Sequence, residues 1–309
     1  MSDITNIFTT LPEFSSLDAG TLYLVPTPIG NLCDISLRSL YVLANADLLL
    51  AEDTRTTALL LSNYGIKKPL LSYHQHNEKS RIEEIKAQLQ VGKTLALVSD
   101  AGMPCISDPG QILVNALRRA NIPVIALPGS NAALTALASS GLPSTVFSFV
   151  GFLPRKQTEL QSALDRLAQS NLALLSTWII YEAPHRLTKT LLAIAGHEYW
   201  QEAQVVLLRE ISKKYEEYQV GSADALLKLL ADKPARGEYV MLLHRAITNS
   251  ENRQPESSIS NFMGLLQSLA KTDLSTRDIL TILQETAPIY NWQLPKKNQL
   301  YKLIQKLKD

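Results

Sequence analysis

The chain has 309 residues, too many for one ordinary hydrophobic core, and this length predicts two domains with an appendage. Its 30 lysines and arginines nearly balance 29 aspartates and glutamates, so no overall positive field draws it to nucleic acid and any such attraction must be local. The two cysteines, Cys33 and Cys105, lack a paired spacing, which disfavours a disulfide framework or a structural zinc site and favours a reducing, cytoplasmic location.

The first twenty residues lack the basic and apolar regions of a secretory signal, and we interpret residues 1–20 as a flexible leader. No run in the chain approaches the ~18 consecutive apolar residues of a membrane span. We therefore predict no membrane segment.

Residues 21–143 alternate short apolar runs with segments of helical period, which is typical of a parallel sheet with crossover helices. The predicted strands are Leu22–Val25, Leu48–Ala51, Leu95–Ser99 and Val124–Leu127. One-sided helical spacing predicts crossover helices at two places, carrying Leu37, Leu40, Tyr41 and Ala44, and then Leu113, Ala116, Leu117 and Ala120.

The pattern changes at residue 144, and residues 144–246 predict a second α/β domain with a mixed sheet. Its apolar runs are Val146–Phe152, Trp178–Tyr181, Val205–Leu208, Glu216–Val220 and Tyr239–Leu243, with one helical segment around Leu187–Ile194. Residues 247–260 are polar and contain a proline, so they predict a linker. Residues 261–309 show helical periods only and predict a small helical domain.

Turn-rich segments follow three of the first four predicted strands: Pro26–Leu32, Ser99–Gly110 and Pro128–Asn131. Because a ligand in an open α/β sheet binds outside the carboxyl ends of the strands, we expect the three segments to share one crevice. Glycines in them would let the backbone approach a ligand closely.

Each segment also has a purely structural interpretation. The first could be a strand-to-helix turn capped by Asn31 or Asp34. In the second, Asp108 before a proline fits a helix N-cap. In the third, Ser130 or Asn131 could cap a helix whose amino end would also suit an anion. Neither G-x-G-x-x-G after the first strand nor G-x-x-x-x-G-K-[ST] occurs, which disfavours an ordinary Rossmann site and a P-loop.

Nine sequence strings in order, between residues 22 and 243, give a more specific indication. They are LYLVPTPIGNLCDISLRSL, AEDTRTT, LSYHQHNE, ALVSDAGMPCISDPG, ALPGSNAALTAL, GLPSTVFSFVGFLPRK, YEAPHRL, REISKKYEE and RGEYVML. Together they resemble the motifs of the ribosomal small-subunit methyltransferase I family, and the C-terminal KKNQLYK is similar to that family's tail.

The resemblance implies two α/β domains of the tetrapyrrole-methylase type with an S-adenosylmethionine cleft between them, plus the C-terminal helical domain. It implies a homodimer that methylates a cytidine 2′-hydroxyl in the decoding region of small-subunit (16S) ribosomal RNA, as naked RNA or in the assembled 30S subunit. Carried over by position, it assigns the cofactor to Pro28, Gly30, Asp100, Ala101, Gly102, Met103, Ile106, Ser130, Asn131 and Tyr181. Met103, Cys105 and the Ser130-Asn131 pair depart from the usual family residues.

Methyl transfer to a ribose hydroxyl needs in-line placement of the reactants and loss of the hydroxyl proton, which a base or a cation would assist. It needs no metal. The candidate catalytic residues are the polar groups of the flanking motifs: Asp53, Arg55, Lys156, Glu182, His185 and Arg186, with Glu52, Arg209 and Glu210 beside them.

Some of these candidates have alternatives. Asp53 and Arg55 could form a local surface ion pair, and His185 could cap the helix that follows it. His74 and His76 have a spacing that sometimes binds metal, but no acidic or cysteine cluster lies near them in sequence, and substrate-loop polarity is preferred.

Two local features suit RNA. Arg155 and Lys156 follow Phe152 closely, a combination that fits phosphate contact and base stacking. From Pro295 to Asp309 there are five lysines and one aspartate, on a helix that is either a solubilising surface or an RNA-docking module. The remaining alternatives for the whole chain are a small-molecule methyltransferase of the same fold, acting on a tetrapyrrole precursor, and a non-catalytic cofactor-binding ribosome-assembly factor.

Overall fold

The computed structural model describes residues 16–170, 173, 176–232, 234–245, 255–287 and 294–308. Residues 1–15 of the predicted leader and residues 247–254 of the predicted linker lie outside these ranges. The chain divides into two compact units. The first comprises residues 1–139 and 208–217, and the second comprises residues 140–207 and 218–309.

The first unit contains a parallel sheet whose strands run in the order β3-β2-β4-β1-β5. The strands are β1 (Leu22–Leu24), β2 (Leu48–Ala51), β3 (Leu70–Ser72), β4 (Leu95–Val98) and β5 (Val124–Ala126). Four of them confirm the predicted strands to within one residue. The strand β3 was not predicted, because three half-buried residues are too few to show a period.

Helices cover both faces of this sheet. They are α1 (Leu37–Asn45), α2 (Thr54–Asn63), α3 (Glu78–Gln90), α4 (Gln111–Arg119) and α5 (Ala132–Ser140). Alternate strand residues face opposite layers: Leu22 packs with α3 and α4, while Tyr23 packs with α1 and α2. A fully buried leucine such as Leu22 contributes about 2 kcal/mol to stability. The predicted helices α1 and α4 are confirmed; α3 was missed because its face is mostly polar.

The described end of the predicted leader packs on this unit. Leu17 contacts the apolar layer around Tyr23, and the Asp18 amide donates to the Tyr23 hydroxyl at 3.1 Å. The Thr94 hydroxyl donates to the Asp18 carbonyl at 3.2 Å. The prediction of a loose leader is therefore wrong for residues 16–20, because these long-range contacts have no local sequence signal.

The second sheet is mixed, as predicted, with the strand order β6-β7-β10-β8-β9. Its strands are β6 (Phe147–Phe152), β7 (Thr177–Glu182), β8 (Gln204–Arg209), β9 (Glu217–Gly221) and β10 (Tyr239–His244). β6 and β7 are parallel, whereas β7 and β10 are antiparallel. Three helices accompany them where one was predicted: α6 (Gln157–Ala168), α7 (Pro184–Ala195) and α8 (Ala223–Asp232). Only α7 was predicted, although α6 contributes Leu160, Ala163 and Leu164 to the core and α8 contributes Ala223 and Leu226.

The C-terminal region is helical, as predicted, with α9 (Pro255–Ala270), α10 (Thr276–Thr286) and α11 (Lys297–Lys308). Apolar residues of the three helices pack together, among them Leu266, Leu283 and Ile304, each fully buried. α9 begins at Pro255, so residues 255–260 of the predicted linker are helical; proline is tolerated in the first turn, where no helical N–H bond is lost. Among the described residues, none of the helices has the length and apolarity needed to cross a bilayer.

Candidate functional site

The three turn-rich segments of the first unit follow β4, β1 and β5, which are neighbours in the sheet. Two of these loops are joined directly by backbone hydrogen bonds between Thr27 and Gly102. The Thr27 amide donates to the Gly102 carbonyl at 2.9 Å, and the Gly102 amide donates to the Thr27 carbonyl at 3.0 Å. The Thr27 hydroxyl also donates to the Ser99 carbonyl at 3.2 Å. The loops after β1 and β4 therefore form one continuous backbone surface.

Gly102 is the point at which all three loops meet. Its φ of +83° lies in the left-handed region that favours glycine. A Cβ built on it would lie 3.4 Å from Ile29 Cγ2 and 3.8 Å from the Ser130 carbonyl oxygen. The prediction that the three loops share one region is confirmed.

The loop after β5 is held by a helix cap. The Asn131 Oδ1 accepts from the Leu134 amide at 3.0 Å, so the predicted capping by Asn131 is confirmed. The Ser130 hydroxyl instead donates to the Asp34 carbonyl at 3.3 Å. A Cβ on Gly129 would lie 2.8 Å from Pro26 Cβ, so glycine is needed for this close approach.

The loop after β1 ends in a short 3₁₀ turn, Leu32–Asp34. The Asn31 side chain caps it by accepting from the Cys33 amide at 3.0 Å, which confirms one structural interpretation. The alternative cap by Asp34 is wrong, because α1 begins after Ser36, whose hydroxyl accepts from the Ser39 amide. The Asp34 carboxylate instead accepts from the Ser212 hydroxyl.

The loop after β4 runs further than its sequence indicates. α4 begins at Gln111 with Gly110 as its N-cap, so the prediction that Asp108 caps this helix is wrong. Gly110 has a φ of +132°, and Cys105 and Ser107 have φ values of +71° and +66°. These backbone conformations lead the chain out of the helical path before α4 starts.

Asp108 lies instead in an acidic cavity of about 250 Å³. Burial, together with the nearby charge of Glu52, raises the pKa of Asp108 to about 6. Burial and the charge of Asp100 also raise the pKa of Glu52. Glu78 lines the same cavity and is largely buried. Asp108 and Glu52 therefore keep their protons to a higher pH than exposed carboxyl groups do.

The cavity holds no recognisable metal centre, and within the described ranges no group of three or more His, Cys, Asp and Glu side chains is arranged to bind one. The rings of His74 and His76 lie edge to face with their centroids 5.9 Å apart.

Asp53 and Arg55 form the ion pair that was the structural alternative for them, with Arg55 Nη2 2.7 Å from Asp53 Oδ2. Asp53 also caps α2, and its bonds to Arg55 lower the pKa of Asp53 to about 2. The Asp53 amide donates to Asp100 Oδ1 at 3.2 Å, which ties the loops after β2 and β4 together. The Arg55 side chain remains 90% exposed.

Glu182 and Arg186 form a buried ion pair in the second unit, with Arg186 Nε 3.3 Å from Glu182 Oε1. The Glu182 side chain is fully buried and accepts from the Thr190 hydroxyl at 2.5 Å. Arg186 Nη2 donates to the carbonyls of Leu153 and Pro154, at 2.5 and 3.1 Å. The pair therefore fixes the turn that follows β6.

Lys156 and His185 are the exposed candidates of the second unit. Lys156 lies 3.2 Å from Glu159 and keeps 79% of its side chain exposed. The capping alternative for His185 is wrong, because Ala183 occupies the N-cap of α7 and no side chain caps it. Tyr181, the predicted cofactor residue of this unit, contacts the rings of Phe149 and Phe152.

The segment after β8 contributes to the site in a way that was not predicted. Ile211, Ser212 and Glu216 line a cavity of about 280 Å³ together with Ile29, Asp34, Ser130 and Thr135. A Cβ on Gly30 would lie 3.1 Å from the Ile211 carbonyl oxygen. The motif REISKKYEE was recognised, but no local pattern shows that it packs against a loop about 180 residues earlier in the chain. Within this motif, Glu210 and Ser212 adopt positive φ values of +54° and +65°.

The chain is similar in sequence to known proteins. A family model described as Tetrapyrrole (Corrin/Porphyrin) Methylases matches residues 21–227. A ribosomal RNA small subunit methyltransferase I from Synechocystis sp. is 41% identical over 92% of this chain and 97% of its own length. Proteins of the same name from Vibrio cholerae and Bacillus subtilis are 38% and 44% identical, over 92% and 73% of this chain and 94% and 75% of theirs.

Solved structures show a similar fold. A cobalt precorrin-4 methyltransferase has a TM-score of 0.51 at 16% identity, covering 73% of this chain and 95% of its own. The native form of a uroporphyrin III C-methyltransferase from Thermus thermophilus has a TM-score of 0.50 at 16% identity, covering 73% and 97%. From the matched family model and the relatives aligned over most of its length, the chain belongs to the tetrapyrrole methylase family and, within it, to the ribosomal RNA small subunit methyltransferase I family.

Proposed function

We propose that this chain is an enzyme that transfers a methyl group from S-adenosylmethionine to the 2′-hydroxyl of a cytidine in the decoding region of 16S ribosomal RNA. The observation that carries the proposal is the meeting of three loops at Gly102, in a chain 41% identical to a small-subunit methyltransferase over 97% of that relative. The cytidine and the 2′ position rest on the motif resemblance.

The residues at the loop junction fit an adenosyl cofactor. Gly102 is buried and left-handed, and it carries no side chain where Ile29 and the Ser130 carbonyl approach, so the junction is built of backbone. The Asp100 carboxylate accepts one bond from Asp53 and keeps further acceptor capacity for hydroxyl or ammonium donors. The residues proposed to hold the cofactor are Pro28, Gly30, Asp100, Ala101, Gly102, Met103, Ile106, Ser130 and Asn131. Tyr181 stays a prediction for this role.

When bound, S-adenosylmethionine supplies an activated methyl group on a sulfonium. This chain's residues must then place the ribose hydroxyl and assist the loss of its proton. We assign contact with the RNA to the exposed Arg55, Lys156 and His185. Asp53, Glu182 and Arg186 are proposed as positioning residues, since Asp53 orients Arg55 and the other two fix the turn after β6.

The proposal includes ribosomal RNA or the assembled small subunit as partner, a homodimer, and a cytoplasmic location. The support is the family resemblance and the ribosomal substrate that the relatives' names state. We further propose three functional segments, residues 21–143, 144–246 and 261–309, with residues 261–309 serving to dock RNA.

A second candidate is methylation of a tetrapyrrole precursor, because the matched family model and the solved neighbours carry tetrapyrrole names. A third is a cofactor-binding assembly factor without catalysis. Radiolabelled S-adenosylmethionine offered with unmodified small ribosomal subunits, and separately with uroporphyrinogen III, distinguishes the three.

We expect label in the ribosomal RNA, resistant to alkaline cleavage at one cytidine because its 2′-hydroxyl is blocked. Label in the tetrapyrrole alone would support the second candidate and overturn the proposal. Cofactor binding without transfer to either acceptor would support the third.

A further inference from the structure

Three aromatic side chains of β6 lie exposed at an edge of the second sheet. Phe147, Phe149 and Phe152 are 42%, 36% and 58% exposed, and among the described strands β6 has a neighbour, β7, on one side only. Exposed apolar residues on an edge strand favour unwanted association, so proteins keep them where they serve a contact. The exposure of these rings therefore indicates that they contact another molecule.

Two of these rings form a cluster with Tyr181, and we call Phe149, Phe152 and Tyr181 the aromatic patch. The register pairs Phe149 with Ile179 and Phe152 with Tyr181, which places both phenylalanines on one face. The ring centroids of Phe149 and Tyr181 are 5.0 Å apart, and those of Phe152 and Tyr181 are 5.7 Å apart, both edge to face. The patch thus presents three rings within one small area.

The backbone under the aromatic patch is fixed. A bulge between Phe149 and Gly151, where Gly151 has a φ of +71°, keeps Phe152 on the same face as Phe149. Val150 and Leu153 pack into the hydrophobic core on the other side. The turn that follows is held by Arg186, whose guanidinium donates to two of its carbonyls. Little conformational entropy would be lost when a ligand binds such a surface.

Positive charge lies directly beside the aromatic patch. Arg155 and Lys156 follow it in the chain and are exposed, and Lys189 Nζ donates to the Arg155 carbonyl at 2.8 Å. Residues 147–189 contain five lysines and arginines against three aspartates and glutamates, although the whole chain carries a net charge of only +1. Glu182, one of the three acids, is buried against Arg186.

Proteins bind single-stranded RNA with aromatic rings and adjacent cations. The bases stack on the rings, and the cations contact the phosphates of the backbone. We infer that Phe149 and Phe152, held in place by the Tyr181 ring that contacts both, stack unpaired bases of the RNA substrate, while Arg155 and Lys156 contact its phosphates. This inference rests on the proposed function and adds the surface that grips the RNA. A second copy of the chain fits less well, because a twofold contact through this patch would gather like charges of both copies.

The test uses Phe152→Ala, Phe152→Leu and Phe152→Trp in the full chain. Leu192→Ala is the matched control, since Leu192 is also 58% exposed and lies in the same unit. The probe is a short fluorescein-labelled, cytidine-containing single-stranded RNA, read by anisotropy. We expect Phe152→Ala to weaken affinity about five- to hundredfold, which corresponds to one lost stacked base. Phe152→Leu should lose nearly as much, and Phe152→Trp and Leu192→Ala should bind as wild type.

Unchanged RNA affinity in Phe152→Ala would overturn the inference. Full affinity in Phe152→Leu would overturn it too, because it would show that only apolar area matters. Loss of a dimer in sedimentation velocity without loss of RNA affinity would show a protein interface and also overturn it.

Methylation of small subunits by wild-type protein separates this inference from the proposed function. If the wild type methylates subunits and Phe152→Ala has an unchanged KM for them, the stacking inference is refuted and the proposed activity stands. If the wild type binds RNA through Phe152 but methylates neither acceptor, the proposed activity is refuted and the role of the aromatic patch in RNA binding is still supported.

Discussion

Thr27 and Gly102 hold the loops after β1 and β4 together by a reciprocal pair of backbone hydrogen bonds, at 2.9 and 3.0 Å. The two loops are separated by some seventy residues in sequence, and both bonds join backbone atoms. The surface that we propose for the cofactor is therefore made largely of backbone. Its vulnerable points are glycines, where a side chain would meet atoms of the neighbouring loops.

Gly102→Arg is expected to abolish binding of S-adenosylhomocysteine while the chain still folds. A side chain at this position would project among Ile29 and the Ser130 carbonyl, and the left-handed backbone would cost about 1 kcal/mol. Titration calorimetry measures the affinity, and urea unfolding measures the stability.

Gly92→Arg is the matched control, because Gly92 has a similar φ of +88° but open space around it. It shares the backbone strain of about 1 kcal/mol without the contacts, so it should lose little stability and no affinity. Equal affinity of Gly102→Arg and Gly92→Arg for S-adenosylhomocysteine would contradict the placement of the cofactor at this junction.

Asp108→Asn is expected to stabilise the protein at pH 8. The folded state raises the pKa of Asp108 to about 6 from 3.8, so it favours the protonated form. The wild type therefore loses stability as pH rises from about 4 to above 6, and stays at the lower value at pH 8. Because the side chain is only partly buried, the gain should be about 1–2 kcal/mol, less than the full shift implies.

Urea unfolding at pH 4 and pH 8 measures this gain, which should be largest at pH 8. Asp224→Asn, an exposed carboxylate in the first turn of α8, is the control and should bring no such gain. A wild type whose stability rises between pH 4 and pH 8 in proportion to Asp108 ionisation would contradict the prediction.

Arg186→Ala is expected to destabilise the protein by about 3 kcal/mol. It leaves the Glu182 carboxylate buried without its cation, and it removes both bonds to the turn at Leu153 and Pro154. Arg166→Ala, at an exposed arginine of α6 that donates to Ser162, should cost less than about 0.5 kcal/mol. Similar midpoints for both variants in urea would show that the buried pair has no structural role.

The double change Lys302→Glu with Lys306→Glu is expected to weaken RNA binding and to leave cofactor affinity unchanged. Both lysines are exposed on α11, whose apolar residues Leu300 and Ile304 hold it to the other C-terminal helices. Each lost phosphate contact should reduce the slope of log affinity against log salt by about 0.7 for single-stranded RNA. Lys228→Glu on α8 is the control, and an equal effect there would indicate general electrostatics rather than a docking helix.

Much of the first unit could be predicted because its signals are local. An apolar run such as Leu48–Ala51 fits a strand buried on both faces, and one-sided spacing from Leu113 to Ala120 fits a helix on a sheet. The cap at Asn131 is local too, since its side chain bonds an amide three residues on. The edge at which the loops meet follows from the parallel order of the strands.

The sequence-based predictions were wrong where one local pattern is compatible with two structures. The Asp-Pro pair at Asp108 resembles a helix start, but left-handed residues at Cys105, Ser107 and Gly110 delay α4 to Gln111. These conformations are imposed by packing, and no residue type other than glycine announces them.

The sequence alone therefore determined four of the five strands of the first sheet, the helices α1 and α4, the loops that form the candidate site and the family. Only the tertiary structure decided that Ser212 and Glu216 join Asp34 in one cavity, that Glu182 is buried against Arg186, and that two phenylalanines meet Tyr181 in one patch. The reason is physical: periodicity and capping act over a few residues, whereas burial of a charge or contact between distant loops depends on which segments pack together.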